Sequence, residues 1–213
     1  MRRGFKLPFL IEVAIAALFL GLLIAFGAFI YTLRYGFSTH DEPTAIEAFI
    51  AGRMRHWSIP ADLHQAQNPL PLTPDVLAEA RAHFADHCAT CHANDGKGKT
   101  EMGQHLYPRA PDMTLRKTQS QSDGELFATI ENGVRLTGMP GWGDGTAESA
   151  RGSWALVHFI RHLPKITADE TAQMENMNPK TPQEYEEMQQ EQEFLAGSNA
   201  GEEQSNSEKQ HHH

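Results

Sequence analysis

The sequence predicts an all-α protein: an N-terminal transmembrane helix followed by a small helical domain. Apolar residues recur at three- and four-residue spacing over 43–57, 74–87, 123–132 and 147–163, and no run alternates as a half-buried strand would. Turn-forming clusters such as Asn94-Asp95-Gly96-Lys97-Gly98 and Gly138-Met139-Pro140-Gly141 separate these runs. Residues 7–33 are apolar apart from Pro8 and Glu12, which is too long a run for an ordinary core helix.

Val13 to Leu33 would span about 31 Å as a helix, against a hydrocarbon core of about 30 Å. Tyr31, Arg34 and Tyr35 then read as an interfacial belt. A cleaved signal peptide would have a shorter apolar region ending at a small-residue site, and Phe29, Ile30 and Leu33 continue past the one available at Ala25-Phe26-Gly27. Residues 1–35 are therefore assigned to a cytoplasmic stub and uncleaved anchor. Arg2, Arg3 and Lys6 on the short side hold that end in the cytoplasm. Glu12 sits where its carboxylate reaches the headgroups; pairing with a membrane partner is the sharper alternative.

Residues 36–73 contain an amphipathic helix and a linker. Ile46, Phe49, Ile50, Met54 and Trp57 form one stripe. Three settings fit it: packing on the chain's own globular domain, lying on the membrane surface, or docking to a partner. Asn68-Pro69-Leu70-Pro71-Leu72-Thr73-Pro74 is a stiff, extended connector, with Thr73 as N-cap and Pro74 opening the next helix.

That helix passes Leu77, Ala80 and Phe84 and delivers Cys88-Ala89-Thr90-Cys91-His92, which contains both cysteines of the chain. Cys-x-x-Cys-His is the attachment pattern of a c-type haem. Two thiols one turn apart can add to the two vinyl groups of one porphyrin, and the adjoining imidazole then points at the iron. A thioredoxin-like pair would need a βαβ setting, and a structural zinc site would need more ligands than one such pair supplies.

A low-spin carrier needs a second axial ligand, and a methionine there raises the potential. Of the eight methionines, Met139 lies in an irregular Gly-Met-Pro-Gly segment between two helices, where glycine permits close approach and proline fixes the backbone. Met102 and Met113 lie too near the motif to wrap to the opposite face, and Met113 is assigned to packing. His83, His87, His158 and His162 are weaker competitors, being placed on helix faces.

Residues 74–165 are assigned to the haem domain, closed by a helix over 147–163 carrying Trp154, Leu156, Val157, Phe159, Ile160 and Leu163 and stopped by Pro164. Residues 166–213 are a polar, acidic tail. Thr181-Pro182-Gln183-Glu184 is a capping box that starts a helix to about Leu195, and disorder is expected from Gly197. The terminal His211-His212-His213 is assigned no role. The net charge is −9, and no basic face marks a nucleic-acid binder.

Taken together, Cys88–His92, Pro111-Asp112-Met113, Asn132-Gly133-Val134-Arg135, Gly138-Met139-Pro140 and the final helix with Trp154 and Phe159 resemble class I, single-haem c-type cytochromes. With the anchor, the chain resembles their membrane-bound bacterial members, with the haem domain in the periplasm and the anchor a single pass of the inner membrane. The resemblance implies one covalent haem c, ligated by His92 and Met139. It implies that Ala80 and Phe84 cross the last helix opposite Leu156 and Phe159, and that the Pro111 carbonyl accepts the Nδ1–H of His92. Tyr107, Arg135 and Trp142 become candidates for propionate contacts.

The function implied is a membrane-tethered one-electron carrier between redox-protein donor and acceptor, not an enzyme. The alternative is a fixed haem c subunit of a larger membrane redox complex of oxidase or dehydrogenase type. A haem-based gas or redox sensor is a third class, for which the chain carries no signalling module.

Overall fold

The computed structural model of this 213-residue chain describes residues 7–36, 38–192 and 194. The basic residues 2, 3 and 6, the tail from 195 and the terminal histidines lie outside them. All regular structure among the described residues is helical.

Helix α1 (Leu7–Tyr35) is 29 residues long, about 43 Å at the α-helical rise. The stretch Pro8–Arg34 has a mean hydropathy of 2.8 and buries nothing against the rest of the chain. Among the described residues it is the one helix long and apolar enough to cross a membrane. Its side chains gain nothing from a protein core, so a surrounding apolar phase is what would shield them.

Helix α2 (Ala45–Ser58) opens on a capping box, with Thr44 and Glu47 each bonding the other's backbone N–H. None of its residues is buried. Ile46, Phe49, Ile50, Met54 and Trp57 are all exposed, so the stripe is not what attaches the helix to the haem domain. Polar side chains do that instead. Tyr107 donates to Glu47 (3.1 Å), His56 Nδ1 meets Glu125 (3.1 Å), and just ahead of the helix Arg109 pairs with Glu42 (3.0 Å).

The connector is strapped down rather than free. Asn68 donates its amide to the Trp154 carbonyl (2.7 Å), and His158 Nε2 donates to the Leu70 carbonyl (2.9 Å). Because a carbonyl only accepts, that bond places the His158 proton on Nε2.

Helix α3 (Pro74–His83) starts at Thr73, whose hydroxyl accepts from the Val76 N–H, with proline in the first turn. Three short helices follow: α4 (Ala89–His92), α5 (Glu101–His105) and α6 (Arg116–Gln119). Then come α7 (Asp123–Asn132), α8 (Ala147–His162) and α9 (Ala168–Glu175).

The core is the crossing of α3 and its continuation against α8. Val76, Ala80, Phe84 and Ala85 meet Ala155, Leu156, Val157, Phe159 and Ile160, all buried. The Phe84 and Phe159 rings sit 4.9 Å apart, tilted by 52°. Each fully buried phenylalanine contributes about 1.5–3 kcal/mol through area removed from water. At the rim, Arg151 holds Glu79 through two bonds of 2.5 and 2.9 Å.

Helix α9 was not expected from the sequence. It lies in the acidic tail, yet its Met174 is fully buried in the same core. Residues 182–192 are also helical and exposed, and Thr181 and Glu184 form the anticipated capping box there.

Candidate functional site

The Cys88–His92 segment sits at a change of helical pitch. Residues Phe84–Cys88 form a widened turn in which the Ala89 N–H donates to the Phe84 carbonyl, five residues back. Such π-type turns are rare and recur at functional sites. The turn is followed by α4, so Cys88, Cys91 and His92 share one short coil of chain. The chain then reverses sharply, with Ala93 in a left-handed conformation (φ 59°) and Gly98 donating to the His92 carbonyl (2.8 Å).

Both thiols are pushed towards their neutral form. Burial, with the neighbouring Cys91 charge adding to it, raises the Cys88 thiol to about 12. Burial also raises Cys91. Buried thiols of raised pKa stay neutral, which is compatible with both sulfurs ending in uncharged thioether links.

The imidazole of His92 fits the same chemistry. Burial lowers its pKa, while the facing Pro111 carbonyl opposes that shift. Its Nδ1 is nevertheless a buried polar atom without a completed hydrogen bond. The carbonyl is close enough to bias the ring, but its geometry falls outside a hydrogen bond. An orphaned buried nitrogen costs about 1–3 kcal/mol. A small adjustment that closed the bond to Pro111 would remove that cost and orient Nε2 outward as a ligand.

Around this point the backbone is tied tightly. Thr100 donates to the Cys91 carbonyl (3.1 Å) and caps α5, and the Met113 N–H donates to the Gly96 carbonyl (2.8 Å). Met113 itself is buried in the core. Beside the motif lies an open depression of about 530 Å³, lined by Thr90, Thr100, Glu101, Met102, His105 and Leu106. Leu106 also packs against the backbone of Gly138, so the depression joins the cysteine motif to the segment bearing Met139.

That segment is folded tightly back on itself. Val134 donates to the Met139 carbonyl (3.1 Å), and the Met139 N–H donates to Thr137 Oγ1 (3.1 Å). Gly133 is at φ 65°, and a Cβ there would run into the Pro140 backbone, so glycine is needed twice over. Met139 is half-buried, while Arg135 on the same segment is exposed.

The remaining sequence candidates divide. Trp142 lies 5.2 Å from the His87 ring, which places it beside the motif helix. Tyr107 directs its hydroxyl to Glu47 of α2, a partner that no local pattern announces. The competing histidines have other partners. His158 bonds the connector at Leu70, His162 meets Glu170 (2.9 Å), and His83 and His87 pack edge to face at 5.1 Å. Sequence reasoning missed the widened turn, for which it held no signal. It also missed Thr100, whose position before Glu101 was a readable N-cap.

The helical domain that carries this site resembles known proteins over residues 75–160. Residues 75–160 match the family model described as cytochrome c oxidase, cbb3-type, subunit III. The chain is also similar to the cbb3-type cytochrome c oxidase subunit FixP of Rhizobium meliloti (strain 1021), at 33% identity over 79 residues. The match covers 37% of this chain and 26% of that relative, so the chain spans about a quarter of its length. The matched cytochrome c segment and the apolar N-terminal helix together support a membrane-anchored c-type cytochrome.

Proposed function

We propose that this protein is a membrane-tethered one-electron carrier with a single haem c, joined through Cys88 and Cys91 and ligated by His92 and Met139. When bound, the haem supplies an iron that cycles between ferric and ferrous states. The chain's residues do the rest. Cys88 and Cys91 would hold the porphyrin through thioether links, the Pro111 carbonyl would orient His92 once its bond to Nδ1 closes, and the Gly133–Gly141 segment would present the Met139 thioether. A methionine ligand would favour the reduced state and leave no open iron position, so the chain would carry electrons rather than do chemistry of its own. The Arg2, Arg3 and Lys6 cluster supports a periplasmic haem domain. The observation that carries this reading is the buried Nδ1 of His92 facing Pro111, on the same short coil as both cysteines.

The absorption spectrum of the purified ferric protein tests the ligation. We expect a low-spin spectrum with a methionine-to-iron charge-transfer band, lost in Met139→Ala together with a fall in potential. A high-spin ferric spectrum in the unaltered protein would remove Met139 from the iron.

A second reading is favoured by the FixP relative, whose name makes it an oxidase subunit. On this reading the chain is a fixed haem c subunit of a membrane redox complex, with α1 and the exposed α2 stripe as contact surfaces. Purification in mild detergent separates the two: stoichiometric co-elution with other subunits favours the complex, and isolation alone favours the free carrier.

A further inference from the structure

We propose that His56, His64 and Glu125 form a binding site for a divalent zinc-class cation, which staples α2 to the haem domain. The three side chains come from separate elements: the last turn of α2, the turn at Leu63–Gln65, and the first turn of α7. His56 Nδ1 lies 3.1 Å and His64 Nδ1 3.2 Å from the same Oε1 of Glu125. All three ligand atoms fall within 4.8 Å of one another, and the two rings stand 4.4 Å apart.

The two nitrogen-to-oxygen separations are close to what zinc requires. Ligand atoms about 2.05 Å from a tetrahedral ion stand roughly 3.3 Å apart. Two imidazoles and one carboxylate form a known zinc donor set that leaves a fourth position for water. Imidazole favours zinc, copper and nickel over calcium or magnesium.

The site is also built without help from an ion. The other Glu125 oxygen, Oε2, accepts from the Ser122 N–H at 2.9 Å, which aims Oε1 at the imidazoles. The 63–66 turn is pressed on the start of α7, where the Gly124 N–H donates to the Ala66 carbonyl (3.2 Å). A Cβ on Gly124 would collide with the Leu63 carbonyl, so glycine at 124 is what lets His64 stand beside Glu125. His56 is the exposed, movable member, and its capture closes the site. Since α2 follows the anchor in sequence, an ion here would shorten the free tether between α1 and the haem domain.

Zinc titration by calorimetry tests this, using the full-length holoprotein in detergent with His211→Ala, His212→Ala and His213→Ala to remove competing ligands. The expected result is one saturable zinc equivalent, with affinity falling roughly tenfold or more in His56→Ala, His64→Ala and Glu125→Gln. Zinc should also slow proteolysis within 36–62 in the parent and not in His56→Ala. His56 lies on a helix with no buried residue, and Glu125→Gln keeps the capping acceptor, so an unchanged haem spectrum in both variants certifies their fold. Absence of saturable uptake, or parental affinity in His56→Ala, overturns the proposal. Parental affinity there would place the ion elsewhere, such as the two-ligand pair His83 and His87.

Discussion

Helices α2 and α8 have the same kind of pattern and opposite fates. Both carry apolar residues at helical spacing on one face and charges on the other. In α8 that face is buried: Leu156, Val157 and Phe159 are at most 2% exposed. In α2 the face is open, with Ile46 at 72% and Trp57 at 69%, and the polar side makes the contacts to the haem domain. An amphipathic period states which face avoids water; it does not name what covers it. For α8 the cover is α3, delivered by the chain itself. For α2 the described residues supply polar clasps, and none of them covers the apolar face.

The largest test of that contrast compares one phenylalanine from each stripe. Phe159→Ala removes a fully buried ring that packs on Phe84, and should lower the unfolding free energy of the haem domain by about 3–5 kcal/mol. Phe49→Ala removes a ring exposed at 68% and should stay within about 0.5 kcal/mol. Thermal melts followed at the haem band measure both. A Phe49→Ala loss approaching that of Phe159→Ala would mean the α2 stripe packs on the domain after all.

A smaller test uses chemistry common to both regions. Thr44 and Ser122 each complete a capping box, at the start of α2 and α7. Removing such a hydroxyl costs about 1 kcal/mol. Ser122→Ala should lower the melting transition of the haem domain, because α7 buries Leu126, Ala128 and Ile130. Thr44→Ala should instead fray α2, seen as faster amide exchange there, with the haem-domain transition unmoved. Equal shifts from both variants would show that α2 and the domain unfold as one unit.

The same contrast explains what was legible in the sequence. Helices α3, α7 and α8 were readable from their apolar period, supported by the Thr73-Pro74 start of α3 and the Pro164 stop after α8. The motif residues were readable because haem attachment requires a fixed local spacing. What escaped was non-local. Nothing in the tail's acidic composition says that one side chain, Met174, reaches the core. Nothing near Tyr107 says that its hydroxyl meets Glu47, sixty positions away. Nor does Cys88–His92 announce the widened turn before it, which changes pitch without changing the apolar period. The setting of His92 against Pro111 came through resemblance to a family, not through any rule of spacing.

Helix α9 falls between the two cases and gives the most delicate test. Like α2 it is clasped by polar groups: Glu170 meets His162 at 2.9 Å and Arg81 at 3.9 Å. Unlike α2 it also buries one side chain, Met174. Partial burial raises the Glu170 pKa, but the Thr167 N–H and hydroxyl and then His162 outweigh it, so the net direction is down. A carboxyl whose folded pKa is depressed contributes stability above its unfolded value, near 4.5, and loses it as pH falls through the lower folded value. The gain is modest, under about 1 kcal/mol, because both partners keep some solvent. Urea melts of the parent should therefore show stability declining with acid below pH 4.5, and Glu170→Gln should flatten part of that decline while lowering stability at neutral pH. If Glu170→Gln leaves both the neutral stability and the acid slope unchanged, Met174 alone holds α9 in place. The polar clasps on α2, which have no buried side chain behind them, would then be weaker still.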